Sequence, residues 1–271
     1  MVHRVAAEAP AAFEFLQTIG LELEVLYDHY FYKSSRSDVM RGTSLTRKLA
    51  QQLRALERLR MVTGFYATDI LKAESGVAGV EGFDKNGKFM SIAAPAVVLA
   101  TGGGGAIYLR NDNQKSMMGQ GYYLAAKAGL ELWDMEFVQF YPVVLAEPRV
   151  SAMMVYPPYP QEFRLLNAAG EDIIKKYGDS NLNEAMRKKR DRFSEIILNE
   201  SSAGPVKLDC RKIPAELWKD YPLALLQKIK FDFKNKPVTV LPGAHFFMGG
   251  VRINPDGRTD RPGLFACGEV V

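Results

Sequence analysis

The chain has 271 residues, of which 47% are hydrophobic, so it can bury a core of one large domain or two small ones. Its 35 basic and 31 acidic residues leave a net charge of +4, which is too small a surplus to indicate nucleic-acid binding. Because no apolar run approaches the roughly 20 residues that cross a bilayer, and residues 1–10 lack the apolar core of a signal peptide, we expect a soluble, cytoplasmic protein without a membrane span.

Two stretches in the first 60 residues have the apolar spacing of amphipathic helices. The stretch from Ala9 to Leu23 has Pro10 in a position suited to a first turn and Gly20 in a position suited to the end. The stretch from Thr43 to Arg60 predicts a second helix, with leucines along one face at Leu45, Leu49, Leu53, Leu56 and Leu59.

Short strand-like segments follow at residues 61–66, 67–71, 78–83 and 89–94. The Asn86-Gly87 pair between the last two is typical of a tight β-hairpin turn. This region therefore predicts a small antiparallel β-meander.

The stretch from Ala96 to Tyr108 reads AVVLATGGGGAIY. Its short apolar run predicts a buried strand of a parallel sheet, and helical character resumes near Gly119. Four glycines after such a strand let the backbone approach a phosphate or sugar, because no Cβ intervenes. A tight turn without a ligand is the alternative.

The remaining chemistry-bearing residues indicate neither a metal site nor a redox dithiol. Cys210 and Cys267 have no nearby cysteine and are expected to be small buried hydrophobic residues. The three histidines, His3, His29 and His245, lack metal-ligand spacing. The basic cluster from Arg187 to Arg192 predicts a solvated helix face.

Four blocks together resemble the succinate dehydrogenase and fumarate reductase flavoprotein family, which also includes aspartate oxidase. They are VVLATGGGGAIY, GQGYYLAAKAGLELWDMEFVQFYP at 119–142, PGAHFFMGGV at 242–251 and GLFACGEVV at 263–271. The resemblance implies an α/β fold: a partial two-dinucleotide-binding FAD domain with a β-meander at 1–142, resumed at 242–271. A fumarate-reductase-like α+β capping domain would interrupt it at 143–241.

The GxGxxG turn that seats the FAD pyrophosphate in this family does not occur in the sequence. We therefore expect a piece of a longer flavoprotein, one that by itself retains little or no FAD. A complete protein that has lost its dinucleotide-binding half is the alternative.

The resemblance implies a set of FAD-contacting residues. Residues of the ATGG run would lie beside the ribose and pyrophosphate, Glu269 on the flavin side, and the backbone of Ala67 at the adenine edge. Gln120 stands where the family has the aspartate of TGDG, and it keeps hydrogen-bonding capacity without the charge. The ATGG residues are Ala100, Thr101, Gly102 and Gly103.

The substrate-binding residues of the family are largely replaced here. Tyr141 in QFYP takes the place of a histidine, and Glu195 falls where the resemblance places the proton-donating arginine. Tyr156 and Tyr159 fall at the acidic residue and arginine of the family's EAVRGEGG segment, while His245 in AHFFMGG matches a substrate-contacting histidine.

The implied function is an FAD-dependent oxidoreductase with an altered substrate, since dicarboxylate chemistry needs cations and a proton donor. We expect neither a C4 dicarboxylate nor the usual proton relay. The tyrosines indicate either an aromatic substrate pocket or simply a packed loop of the cap. Arg164, Arg190 and Arg192 are the candidates for a replacement cation.

Two other functions stay open. The flavin of an electron-transferring subunit would pass electrons to a partner such as an iron–sulfur protein, and its substrate pocket would be vestigial. A non-enzymatic protein would keep only the cap as a binding surface. Otherwise the expected partner is a small-molecule substrate.

Overall fold

The computed structural model describes residues 2–26, 29–32 and 42–271. The helices in these ranges are α1 (Val2–Thr18), α2 (Gly42–Arg54), α3 (Gln120–Lys127), α4 (Ile173–Lys176), α5 (Leu182–Lys188), α6 (Arg190–Glu200) and α7 (Leu223–Leu226). The strands are β1 (Leu23–Leu26), β2 (His29–Tyr32), β3 (Phe65–Ala73), β4 (Gly76–Asp84), β5 (Phe89–Ala93), β6 (Val97–Leu99), β7 (Leu132–Trp133), β8 (Val138–Leu145), β9 (Arg164–Leu166), β10 (Lys207–Asp209), β11 (Val238–Phe247), β12 (Gly250–Val251) and β13 (Leu264–Ala266). Mixed helices and strands agree with the expected α/β class.

The β-meander is confirmed as the antiparallel sheet β3-β4-β5. At the predicted turn, Gly87 has a φ of 79° and donates its N–H to the carbonyl of Asp84 over 3.0 Å. A residue with a side chain is strained at this φ, which explains why the Asn-Gly pair indicated the hairpin correctly.

The strand before the glycine run pairs in parallel with β13, which brings the ATGG loop beside the end of the chain. The expectation that this strand is buried on both faces is only half right. Leu99 is buried, whereas the side chain of Val98 is 60% exposed. Apolar composition predicted the pairing, but nothing in the described part of the chain covers the second face.

A second sheet, ordered β8-β11-β10-β9, contains the long antiparallel pair β8 and β11. The register of this pair shifts twice, between Leu241 and Gly243 and between Ala244 and Phe246. A bulge re-aims the side chain at the extra residue, so the second shift sets the direction of His245.

Buried hydrophobic residues form two cores. One draws on residues 141–240 and includes Phe193, Leu208 and Val240. The other contains Leu99, Leu264 and residues of β3, β4 and α3. Most of the first core lies within the expected capping domain, but it also includes Tyr141, and the domain boundaries at 142/143 and 241/242 stay a prediction.

The two helices predicted first have different bounds in the structure. Helix α1 begins at Val2, so Pro10 lies inside it rather than in its first turn, and the helix buries none of its residues. Helix α2 ends at Arg54, because the chain then tightens into turns in which Leu56 bonds to Leu53 and Leu59 bonds to Leu56. Leu56 and Leu59 therefore lie beyond the helix and are exposed.

Two further expectations are corrected. Residues 187–192 are not one solvated face, because the helix breaks at Lys189 and Arg190 is half-buried. Cys267 is exposed at the end of β13. Cys210 is buried as expected, and burial raises the pKa of its thiol well above the usual range.

None of the helices in the described part of the chain combines the length and the apolar content that a bilayer crossing requires.

Candidate functional site

The ATGG loop leaves β6 with backbone donors that the protein does not use. Within the described residues, the N–H groups of Thr101, Gly102 and Gly103 make no hydrogen bond. Gly102 has a φ of 71°, which turns successive N–H groups toward one side. Because unpaired backbone donors are costly unless a ligand or water meets them, this loop is suited to bind an anionic group.

Gly103 admits the side chain of Glu269 to the loop. A Cβ on Gly103 would lie 2.2 Å from Oε1 of Glu269. That oxygen accepts the N–H of Phe247 over 3.0 Å. We expected the glycines to make room for a ligand, and at Gly103 the room is taken by a carboxylate of the protein itself.

Helix α3 packs against the same loop. A Cβ on Gly121 would lie 1.8 Å from Oγ1 of Thr101, so the helix can approach the loop only with glycine there. The hydroxyl of Tyr122 donates to the carbonyl of Glu269 over 2.9 Å. Burial, and then the charge of Glu269, raises the pKa of Tyr122 to about 12.

The other two expected FAD-contacting residues lie on this part of the fold. Gln120 is exposed at the first turn of α3, where its Oε1 accepts the N–H of Met118 over 3.1 Å. Ala67 lies at a bulge in β3 and packs against the core that holds Leu99. The contacts of all these residues with FAD remain predictions.

His245 lies at the bulge of β11 and pairs with Asp112. Its Nδ1 is 3.0 and 3.1 Å from the two carboxylate oxygens. The segment that carries Asp112 lies along β11 through a hydrogen bond from the N–H of Ala244 to the carbonyl of Arg110. Asn113 donates to the carbonyls of Ala244 and His245, both over 3.1 Å, and this locks the segment in place.

Tyr141 is fully buried, and its ring centroid lies 6.1 Å from that of His245. The hydroxyl of Tyr159 donates to the carbonyl of Val155. The proton between Tyr141 and Tyr159, whose oxygens are 2.9 Å apart, must therefore come from Tyr141. Because this proton is donated to Tyr159, the hydroxyl of Tyr141 has none left to donate to a ligand. Burial raises the pKa of both phenols far above the ordinary range.

Of the three arginines considered as a replacement cation, the structure brings Arg190 next to Tyr141. Its guanidinium carbon is 5.7 Å from the ring centroid of Tyr141 and 5.6 Å from that of Tyr156. Arg164 instead pairs with Asp172, and Arg192 with Asp179. Of these three arginines, Arg190 is thus the one that lies beside Tyr141 and Tyr156.

The guanidinium of Arg190 is bound by neutral groups. It donates to the carbonyl of Met186, to Oε1 of Gln139 and to the hydroxyl of Tyr156, over 3.1 to 3.2 Å. Among the described residues no carboxylate lies within ion-pair distance of it. Two of its five N–H donors remain available.

Arg190 and Glu195 both line a groove of about 700 Å³ between α6 and β8. Glu195 is exposed on α6, and Ser194 beside it donates to the carbonyl of Phe140 over 3.1 Å. The groove therefore holds charges of both signs: Asp191 and Glu195 lie among Arg187, Lys188 and Arg190, and these three basic residues offset the charge reversal expected from Glu195.

The two tyrosines at the EAVRGEGG positions have different surroundings. Tyr159 packs in the core of residues 141–240, with its ring edge-on to Phe163 at 5.3 Å. Tyr156 is half-buried and accepts from Arg190. The packed-loop interpretation therefore describes Tyr159, while Tyr156 faces the cation.

Sequence reasoning missed Asp112 altogether and left Arg190 as one of three options. Asp112 is 133 residues from His245, and the NDN run around it matches no motif, so the sequence alone carried no signal for their contact. In the described ranges no group of three His, Cys, Asp or Glu side chains could hold a metal ion.

The family model described as FAD binding domain matches residues 24–271. The chain belongs to this family. The recognised resemblance to the fumarate reductase, succinate dehydrogenase and aspartate oxidase flavoproteins is therefore confirmed, and FAD is the cofactor that the family binds.

Similar proteins include the L-aspartate oxidase of Mesorhizobium japonicum, 31% identical over all of this chain and 55% of its own length. One subunit of the Fumarate reductase (CoM/CoB) of Methanothermobacter marburgensis is 34% identical over 75% of this chain and 39% of its own length. A structure of Quinol-Fumarate Reductase with Menaquinol Molecules supports the fold, with a TM-score of 0.83 at 24% identity over 98% of this chain and 52% of that one. The chain thus spans about half the length of the proteins it matches.

Proposed function

We propose that the chain is part of an FAD-dependent oxidoreductase and carries one side of its cofactor site together with the substrate-facing cap. The observation that carries this proposal is the ATGG loop, in which the N–H groups of Thr101, Gly102 and Gly103 make no hydrogen bond within the described residues. The loop lies in a stretch that matches the FAD-binding family. Free backbone donors at the carboxyl end of a parallel strand suit the diphosphate of a dinucleotide.

When bound, FAD supplies the hydride-accepting or hydride-donating chemistry of such an enzyme. On our proposal the ATGG loop binds the cofactor, with Ala67, Gln120 and Glu269 beside it. Arg190 then binds and orients an anionic group of the substrate, because its charge is not matched by any described carboxylate and it opens to the groove.

The substrate would differ from a C4 dicarboxylate. Asp191 and Glu195 line the groove together with Arg187, Lys188 and Arg190, so a second carboxylate placed there would meet acidic as well as basic side chains. The apolar lining from Val138, Phe140 and Leu198 instead suits an apolar body. We therefore propose a substrate with one anionic group, which Arg190 binds. His245 contacts a different part of the same substrate. Tyr141 packs beside Arg190 and His245 and does not react, because its hydroxyl is bonded to Tyr159.

A second candidate is an electron-transferring subunit with a vestigial substrate pocket. The burial of Tyr141 favours it, because this hydroxyl already donates its proton to Tyr159 and cannot donate one to a substrate. Such a subunit would need a protein partner, for which an iron–sulfur protein is the expected class. A cytoplasmic location stays a prediction.

Purification of the full-length protein and its visible spectrum test the leading proposal. We expect the visible absorbance of a bound flavin, and the 271 residues alone should retain little or none. In the full-length protein, Arg190→Gln should reduce turnover of a soluble anionic substrate by at least about 100-fold, with flavin content unchanged. Arg192→Gln is the matched control, because Arg192 bonds elsewhere, to the carbonyl of Tyr177.

A full-length protein without flavin would refute the proposal. Flavin reduction by a partner protein, without turnover of any soluble substrate, would favour the electron-transferring subunit instead. Equal loss of turnover in the two arginine variants would show that Arg190 has no special place in the site.

A further inference from the structure

The imidazole of His245 is held on one side and free on the other. Its Nδ1 faces both oxygens of Asp112, while Nε2 has no hydrogen-bond partner among the described residues. The side chain remains 29% exposed. One ring nitrogen is therefore fixed by the protein and the other is available to a ligand.

The carboxylate of Asp112 has few neighbours other than Nδ1 of His245. Its side chain is only 11% exposed, and apart from His245 its side-chain neighbour is the amide of Asn113 at 3.5 Å. No lysine or arginine pairs with it in the part of the chain that the structure describes. A carboxylate accepts hydrogen bonds and donates none, so the hydrogen shared with the imidazole must reside on Nδ1.

We propose that Asp112 is a positioning residue: in the neutral form of the imidazole it keeps the hydrogen of His245 on Nδ1, and so presents the lone pair of Nε2 to the substrate. The carboxylate fixes both the tautomer and the ring orientation, as the acidic partner of an active-site histidine commonly does. The bulge of β11 contributes by turning His245 toward the segment that carries Asp112.

This inference rests on the proposed function for its chemical meaning. The lone pair at Nε2 can accept a proton or a hydrogen bond. We therefore expect it to face a substrate group that carries a hydrogen to give, such as an ammonium, a hydroxyl or an acidic C–H. With Arg190 also beside Tyr141 as the receptor for an anion, the site would bind a substrate that bears an anionic group and a separate proton donor.

Nitrogen-15 NMR of the histidine rings tests the tautomer in the 271-residue chain without any cofactor. Only three histidines contribute signals, and His245→Gln assigns the relevant one. At about pH 9, where an ordinary imidazole is neutral, we expect a pyrrole-like Nδ1 and a pyridine-like Nε2. Asp112→Asn and Asp112→Ala should abolish this preference, whereas Asp256→Asn, which removes an exposed aspartate, should leave it unchanged.

A pyridine-like Nδ1 in the unmodified chain would overturn the proposal, even if the Asp112 variants fail to fold. The proposal is equally wrong if folded Asp112→Ala keeps the original tautomer. In the full-length flavoprotein, Asp112→Asn should lower kcat by at least about tenfold, with flavin content and KM little changed. Absence of flavin would refute the proposed function and leave the tautomer result intact, so the two failures are distinguishable.

Discussion

At the scale of single residues, the direction of one proton decides what Tyr141 does. Tyr159 has one hydroxyl hydrogen and donates it to the carbonyl of Val155, so Tyr141 donates to Tyr159 and not to the substrate side. Tyr141, which we expected in the place of a family histidine, is therefore a buried side chain that packs beside Arg190 and His245. Its identity alone did not predict that role.

This direction predicts unequal effects of removing the two hydroxyls. Tyr141→Phe should cost about 0.5–1.5 kcal/mol of unfolding free energy, because Tyr159 keeps its bond to Val155. Tyr159→Phe should cost more, about 1–3 kcal/mol, since it leaves both the hydroxyl of Tyr141 and a buried carbonyl unpaired. Urea denaturation of the two variants measures the difference. Equal costs, or a larger cost for Tyr141→Phe, would mean that Tyr159 donates to Tyr141 instead.

The sequence predicted the residue types of this site better than their contacts. His245 and the ATGG run were found from their motifs. The pairing of His245 with Asp112, and that of Arg190 with Gln139 over 51 residues, depend on how distant segments meet. Motifs record local backbone needs, whereas these contacts arise only when β8, β11 and α6 pack.

At the scale of elements, the contact between α3 and the ATGG loop depends on the absence of a side chain. Gly121 faces Oγ1 of Thr101 so closely that one added carbon overlaps it, and the next nearest atom belongs to Val270 at 2.8 Å. The helix also carries Tyr122, which bonds to the backbone of Glu269. The position of α3 therefore couples the loop to the end of the chain.

Gly121→Ala should destabilise the protein by about 1–3 kcal/mol, because the extra carbon forces the helix away from the loop. Thr101→Ala removes the nearest of the overlapping atoms, Oγ1, while Val270 at 2.8 Å stays close. The double variant should therefore lose less stability than the two single losses added together. Urea unfolding of the four proteins completes this cycle. Strict additivity would show that the helix does not press on Thr101, and would contradict this packing.

Elements were predictable where one local signal decides the structure. The Asn-Gly hairpin, the parallel strand before the glycines and the start of α3 near Gly119 followed from turn chemistry or composition. The ends of helices were harder to predict from the sequence, since the row of leucines continues to Leu59 while the helix ends at Arg54. Apolar spacing indicates a face but does not fix where the backbone changes to a tighter turn.

At the scale of the whole molecule, two cores share one pair of strands. Strand β11 places Val238 and Val240 in the core of residues 141–240, and Phe247 in the other core. The bulge with His245 lies between these two parts of the strand. The candidate substrate residues therefore lie where the two packed units meet, which suits a site formed between an FAD domain and a cap.

This arrangement predicts that the backbone amides of the two cores lose their protection from hydrogen exchange separately. Leu208→Ala removes a fully buried side chain from the first core and Leu264→Ala a nearly fully buried one from the second, each at a cost of about 2–5 kcal/mol. Hydrogen exchange followed by mass spectrometry should show Leu208→Ala exposing peptides within 143–241 first, while the β-meander at 65–93 stays protected. Leu264→Ala is the matched variant and should give the reverse order. If either substitution exposes both regions together, the chain unfolds as one unit, and the predicted boundaries at 142/143 and 241/242 do not separate independently stable domains.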